Sequence, residues 1–262
     1  MVVRPGDTVS LDDVDPAATA GLEKEEALEK IDKLRLRLAR LQEALYAEHQ
    51  RSLLIVIQAM DTGGKDGAIK SLCLGLDPNG VQLTNFKYPT AEERDHDFLW
   101  RVHKVTPRKG SIGLWNRSHY EDVLVPLVHG EISRKEWRTR CADIDAFEEL
   151  LGHNGVTIVK FFLHISKEEQ KCRLEARLKE PEKLWKFNEG DLGERKLWDD
   201  YQRAYEDVIT ACTTDDAPWQ IIPADRKWMR NLLMLEVVVA TMEKMKPKYP
   251  VPTINPKEIK ID

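Results

Sequence analysis

Apolar positions along the chain follow two rhythms, one of helices and one of strands. From Leu22 to about Gln50, Ile31, Leu34, Leu38, Leu41 and Leu45 recur at steps of three and four between Glu, Lys and Arg, the stripe of a helix with one buried face. The stripe covers about two heptads, too few for an independent coiled coil, so it packs on the body of the domain or, as the second choice, on a partner subunit. Leu53 to Ile57 is a continuous, β-branched run, which predicts a strand buried on both faces of a parallel sheet. Residues 65–76 predict a helix that ends at the turn Asp77-Pro78-Asn79-Gly80, and residues 81–86 alternate as a second strand. Thr90 and Glu93 form a capping box that opens a helix carrying His96, Asp97, Phe98, Trp100, Arg101 and His103.

Three more strands are predicted at 111–116, 155–164 and 219–223, with helices over about 133–151, from Ser166 onward, and over about 226–244. Ser166 and Glu169 supply a second capping box. Residues 181–203 read as a helical hairpin able to close over a site. Strands alternating with helices predict an α/β fold: a parallel sheet of about five strands covered on both faces. Residues 1–21, with Asp7, Asp12, Asp13 and Asp15 among Pro, Gly and Thr, read as a flexible arm. Residues 22–246 read as one domain with a lid at about 179–205. Residues 247–262, with four prolines, read as a tail over the surface.

Composition narrows the class. A chain of 262 residues with 42% hydrophobic content fills one large domain. A formal net charge of -5 argues against nucleic acid or a membrane surface as partner of the whole protein, so any polyanion site must be locally basic. No apolar run approaches about 18 residues, and the N-terminal segment lacks a signal peptide's apolar core, which predicts a cytoplasmic protein. Cys73, Cys141, Cys172 and Cys212 are far apart, without a C-x-x-C pair, and are expected to be reduced and mostly buried.

The chemistry concentrates where the first strand ends. In QAMDTGGKDGAIK (58–70) the strand runs into a Gly-rich turn and then a helix, an arrangement that presents free backbone N–H groups to an anion. Gly63 and Gly64 allow the bend, and Lys65 can reach the anion's oxygens. The spacing approximates the P-loop pattern G-x-x-x-x-G-K-[ST], with Ala59 in place of the first glycine and Asp66 in place of Ser or Thr. A plain turn with a solvated lysine is the competing interpretation. Asp61 weighs against it, since a carboxylate in a phosphate-binding turn repels the ligand unless a metal lies between them. This points to Mg²⁺, or to a carboxylate that orients an acceptor.

Arg101, Lys104, Arg108 and Lys109 form the densest local excess of positive charge, either a solvated loop or a track for a polyanion. After the third strand comes Asn116-Arg117-Ser118-His119-Tyr120-Glu121-Asp122, which should face the Gly-rich turn because ligands of α/β sheets lie off the carboxyl ends of the strands. Arg117 can pair with phosphate, and Glu121 or Asp122 can hold Mg²⁺ or orient an acceptor oxygen. His119 is a base, or instead a capping or solvent-exposed residue. Cations, a metal site and a positioned acceptor are what phosphoryl transfer requires, so the residues alone indicate a kinase with its donor unspecified.

Six blocks in order, 58–70, 85–110, 116–125, 160–178, 183–208 and 218–231, make the chain resemble the family-2 polyphosphate kinases, and in particular the subgroup acting on both nucleoside mono- and diphosphates. The resemblance covers roughly residues 22–250. It implies a three-layer α/β/α P-loop kinase fold related to thymidylate kinases, with a helical lid and an N-terminal helix, usually assembled as a homodimer or homotetramer. It implies Mg-dependent transfer of the terminal phosphate of inorganic polyphosphate to nucleotides, which converts AMP to ADP and ADP to ATP, with reversibility and with GMP and GDP as acceptors left open.

On that resemblance polyphosphate meets Gly63, Gly64, Lys65, Asp66 and Arg117, and Arg173, Arg177, Lys186 and Arg195 close from the lid and its base. Arg101, Lys104, Arg108 and Lys109 are weaker candidates. Asn116, Arg117, Glu121 and Asp122 hold the nucleotide, Asp61 and Asp122 hold the metal, and Asp61, Lys65, Arg117 and Asp122 form the catalytic set. The chain has Asn188-Glu189 where the family's lid commonly has Ser-Pro. Two rivals remain: an ATP-dependent nucleoside monophosphate kinase, and a non-catalytic polyphosphate- or RNA-binding module.

Overall fold

A computed structural model describes residues 1–254 and Ile259. Five strands form one parallel sheet: β1 (Ser52–Ala59), β2 (Val81–Asn85), β3 (Ile112–Asn116), β4 (Val156–His164) and β5 (Trp219–Pro223), in the order β2-β3-β1-β4-β5. The central position of β1 matches its sequence, since all eight of its residues are buried, which requires cover on both faces. The α/β architecture with about five parallel strands is therefore as the sequence predicts.

Among the described residues, ten α-helices connect and cover the strands: α1 (Lys24–Glu48), α2 (Lys65–Cys73), α3 (Ala91–Arg94), α4 (Trp100–His103), α5 (Glu121–Val128), α6 (Arg134–His153), α7 (Lys167–Lys179), α8 (Gly190–Lys196), α9 (Trp198–Ala211) and α10 (Lys227–Met245). The apolar stripe of α1 lies along α10, which packs on β4, β5 and α2, while α6 packs on β4 and α5 joins α6 to α9. No described helix is long and apolar enough to cross a membrane.

Three segments differ from the sequence reading. The predicted helix from Thr90 is two short helices. Its capping box is present, but the Asp97 carboxylate accepts from the Leu99 N–H at 3.0 Å and offers the backbone a turn in place of helix. The N-terminal arm is packed rather than loose. Val2 bridges Gln220 antiparallel, the Val3 N–H donates to Trp219 O at 2.9 Å, and Val3 and Leu11 are buried. The physical reason is the edge of β5, whose free backbone groups the arm satisfies. Cys141 and Cys212 are buried as expected, but Cys172 is exposed and Cys73 half-buried, all four as free thiols. Part of the proline-rich tail, residues 255–258 and 260–262, lies outside the described residues.

A buried polar cluster ties the end of β3 to the body. Lys160 of β4 is fully buried and donates to Glu148 at 2.7 Å, to the Tyr120 hydroxyl at 2.9 Å and to Cys212 O at 2.6 Å. Glu148 of α6 also accepts from the Tyr120 hydroxyl at 2.8 Å and lies 3.2 Å from His119 Nε2. Nearby, burial raises the Asp145 carboxyl to about 6.

Removing one partner of a buried pair leaves an uncompensated charge, so Lys160→Met should lower stability by about 3–5 kcal/mol in urea denaturation, and Lys160→Met with Glu148→Leu should recover much of the loss. Because the folded state holds the Asp145 proton more tightly than the unfolded state does, Asp145 increasingly destabilises the fold as pH rises from 3.8 to about 6, and does so fully above that. Asp145→Asn should therefore stabilise the protein at pH 7, and the gain should disappear as pH falls from about 6 toward the unfolded value of 3.8.

Candidate active site

The site is assembled by two turns at the carboxyl ends of β1 and β3. Ile57 pairs with Asn116 across the sheet, so residues 60–65 and 116–122 are neighbours. In the first turn Thr62 (φ 59°) and Gly64 (φ 96°) are both left-handed, and the Gly63 N–H closes the bend on Met60 O at 2.9 Å. Helix α2 starts immediately afterward, at Lys65. A Cβ on Gly64 would collide with the guanidinium of Arg230, which donates to Gly64 O at 3.1 Å. Arg173 donates to Thr62 O at 3.2 Å and to Ala224 O at 2.6 Å, so two arginines grip the turn by its carbonyls. The Lys65 ammonium is drawn back onto Ala59 O at 2.8 Å, and burial, with Arg117 close by, lowers its pKa.

In the second turn Asn116 donates to Asp66 and Asn85, both at 2.9 Å. Arg117 is left-handed (φ 61°), its N–H is fixed on Ile57 O at 3.1 Å, and its guanidinium lies 2.8 Å from Asp61 and 3.5 Å from Glu121. Burial opposes the charge of Arg117, yet Glu121 and Asp61 prevail and raise its pKa. Burial also raises the pKa of Glu121 and of Asp122.

These turns open onto a cleft of about 750 Å³ lined by nine lysines and arginines and only three acids, Asp61, Asp66 and Asp191. For a chain of net charge -5 this is a strong local reversal. Of the candidate residues, Gly63, Gly64, Lys65, Asp66, Asn116, Arg117, Arg173, Arg177 and Lys186 all line it. Residues 181–186 form a 3-10 helix over the cleft, where Lys186 lies 4.0 Å from Asp66 and Trp185 points outward. Arg177 at the lid's base holds Asp191 of α8 at 3.0 Å. A second cavity, of about 300 Å³, lies under the lid and shares Asp61, Arg117, Asn188 and Asp191 with the cleft.

Other candidates are placed elsewhere. Arg195 does not line the cleft, because it donates to Lys167 O and Gln170. The basic run 101–109 is not a track along it: Arg101 is buried on Asp122 at 2.9 Å, Lys104 lies over the Trp100 ring, and Arg108 donates to Asn79 O. His119 is fully buried beside Glu148, neither an exposed residue nor a base open to ligand. Sequence reasoning missed Lys87, Lys183, Lys227 and Arg230 in the cleft. The run Asp225-Arg226-Lys227-Trp228-Met229-Arg230, basic at the start of α10, was the available signal for the last two.

The carboxylates divide with respect to magnesium. Mg²⁺ keeps several waters and takes one or two carboxylates together with substrate phosphates. Asp61, partly exposed on the cleft, fits that role. Asp122 does not fit as placed, because its carboxylate is held by Arg101 and lines neither cavity. Among the described residues no group of three or more His, Cys, Asp or Glu is gathered to hold a metal.

Comparison with known proteins gives concordant matches. Residues 21–250 match the family model described as polyphosphate kinase 2. An AMP/ADP-polyphosphate phosphotransferase of Meiothermus ruber is 47% identical over 99% of this chain and 98% of its own. An ADP-polyphosphate phosphotransferase of Rhodopseudomonas palustris is 45% identical over 82% of this chain and 78% of its own. Among solved structures, polyphosphate kinase 2 from Arthrobacter aurescens superposes with a TM-score of 0.93 at 43% identity, over 96% of this chain and 91% of that one.

The left-handed backbone and the packed arginine at Gly64 yield a direct expectation. Gly64→Ala should lower stability by about 1–2 kcal/mol, from the conformational term alone. The shift of the urea midpoint measures it, and an unchanged midpoint would mean that the turn is looser than described.

Proposed function

The chain belongs to the polyphosphate kinase 2 family, and from that premise we propose that its basic cleft carries inorganic polyphosphate to a nucleotide held at Arg117. The protein is a polyphosphate-dependent nucleotide phosphotransferase. The observation that carries the assignment of the site is the nine-to-three excess of cations around a turn built for phosphate. A chain of linked phosphates bears charge along its whole length, and a row of cations from α2, α7, the lid and α10 matches it.

In this reading the bend at Gly63 and Gly64 lets backbone N–H groups approach the terminal phosphates, and Lys65 and Arg117 neutralise charge where the transferred group forms. The cleft charges line the donor up with an acceptor oxygen, which is most of what the reaction needs. Mg²⁺, held by Asp61, would supply further charge neutralisation on the phosphates. Asp122, bound to Arg101, acts as a positioning residue for the turn that carries Arg117. Both AMP and ADP serve as acceptors, in line with the name of the Meiothermus ruber relative. Assembly as a homodimer or homotetramer belongs to the same proposal, with exposed Leu36, Leu74 and Leu83 supplying unburied apolar surface.

Initial rates with AMP or ADP and polyphosphate of defined length should show transfer in the presence of Mg²⁺, and ATP should not replace polyphosphate as donor for AMP. Lys65→Ala should lower turnover by roughly 10²–10³-fold, the scale of losing one electrostatic stabiliser. Normal turnover by that variant would remove Lys65 from the reaction, and a loss confined to binding would favour the non-catalytic module.

A further inference from the structure

The connections β4–α7 and β5–α10 leave the sheet side by side. His164 pairs with Pro223, and the Ala224 N–H donates to His164 O at 2.8 Å, where the run of backbone bonds between the two strands ends. A side chain makes the next link. One oxygen of the Asp225 carboxylate accepts from the Ser166 N–H at 2.8 Å, and the other accepts from the Ser166 hydroxyl, also at 2.8 Å. Ser166 is the N-cap of α7, and its hydroxyl accepts in turn from the Glu169 N–H at 3.0 Å. A carboxylate suits the positive end of a helix, and this one fastens the start of α7 to the residue two before the start of α10.

The two arginines that grip the Gly-rich turn spring from the same joint. Arg173, in the second turn of α7, gives one terminal nitrogen to Ala224 O at 2.6 Å and Asp225 O at 3.2 Å, and the other to Thr62 O. Arg230, in the first turn of α10, is tied by its N–H to Arg226 O at 3.1 Å and reaches Gly64 O with its guanidinium. These two cations oppose each other: burial, with Arg173 near, lowers the Arg230 pKa to about 10. Like charges stay close only where the framework holds them, and Asp225 is the side chain that joins the two frames. Both arginines line the cleft and not the second cavity, and Asp225 lines neither, so any effect it has on a ligand passes through them.

Resting on the reading that the cleft takes polyphosphate, we propose that Asp225 is a positioning residue for that substrate. It sets α7 against α10, and through Arg173 and Arg230 it fixes both the cations of that wall and the carbonyls of the Gly-rich turn. A plain helix cap would need only the bonds to Ser166; the grip of Arg173 on the carbonyls of residues 224 and 225 makes cap and cation one unit. Arg117 stands outside this unit, because its place is set from β1 by the bond of its N–H to Ile57 O. Loss of the joint is therefore felt at the phosphate chain and not at the nucleotide.

Steady-state kinetics with AMP and polyphosphate of defined length, and calorimetric titration of the intact protein with tripolyphosphate, test the assignment. Asp225→Ala should raise KM for polyphosphate and weaken tripolyphosphate binding, each by roughly tenfold, the scale of losing hydrogen bonds to a charged group, with KM for AMP unchanged. Ser166→Ala, which removes one of the two bonds, should give the same selective rise to a smaller extent, and Asp225→Asn, which keeps an oxygen for the Ser166 N–H, should restore most of the loss. In an Arg173→Ala background Asp225→Ala should cost much less than it does alone. Ile144→Val, which thins the core under α6, should lower the urea midpoint and leave KM for polyphosphate as it was, so a general loss of stability is told apart from misplacement. The assignment is overturned if KM for polyphosphate is unchanged in both Asp225→Ala and Ser166→Ala, if KM for AMP rises in step with it, or if the losses at Asp225 and Arg173 simply add. Should the unsubstituted protein neither bind nor use polyphosphate, the proposed function falls, and amide exchange at residues 62–65 still judges the joint: faster exchange in Asp225→Ala supports it, and unaltered exchange ends it.

Discussion

Arg117 is the residue on which the site depends, because two opposite electrostatic environments meet at its guanidinium. On one side is the cation-lined cleft, and on the other is a cavity with four carboxylates. Its backbone is left-handed, a conformation that costs a non-glycine residue energy, and the bond from its N–H to Ile57 O keeps it there. The sheet register thus dictates where the charge sits. Without that charge, Asp61 and Glu121 would both lose an ion pair and be left with Lys65 as their shared cation.

The cleft is built under electrostatic stress. Burial, and Arg173 nearby, lower the pKa of Arg230 to about 10, and both guanidiniums are fastened to main-chain carbonyls, which satisfy their geometry without cancelling their charge. Glu169, 2.7 Å from Arg173, offers direct relief there. A polyanion bound there, as proposed, would relieve this repulsion and so link affinity for phosphates to stability of the fold through the same two side chains. The turn between them is fixed by protein contacts of its own, the two guanidiniums on its carbonyls.

The strands and long helices were legible because burial on both faces leaves continuous apolar runs, and burial on one face leaves a three-four rhythm. The Gly-rich turn, Arg117 and Arg177 at the base of the lid were legible because their chemistry is local in sequence. What could not be read is what packing decides. Arg101 looks like part of a basic surface run, and only the fold reveals it buried on Asp122. Arg230 belongs to a helix whose apolar face dominated its pattern, although it touches the turn 166 residues earlier. The N-terminal arm has too few apolar residues for any period, yet Val3 and Leu11 find core positions because an edge strand is available to pair with.

The lid carries its own optical label. Of seven tryptophans only Trp185 is exposed, at 78%, and the Lys186 ammonium lies 5.0 Å from its ring centroid while also facing Asp66 across the cleft. Indole emission responds to a neighbouring charge and to soluble quenchers, and the other six rings are shielded or half-shielded by the body. Emission from this one exposed ring therefore reports on the surroundings of Lys186 and Asp66 at the mouth of the cleft, with no attached dye.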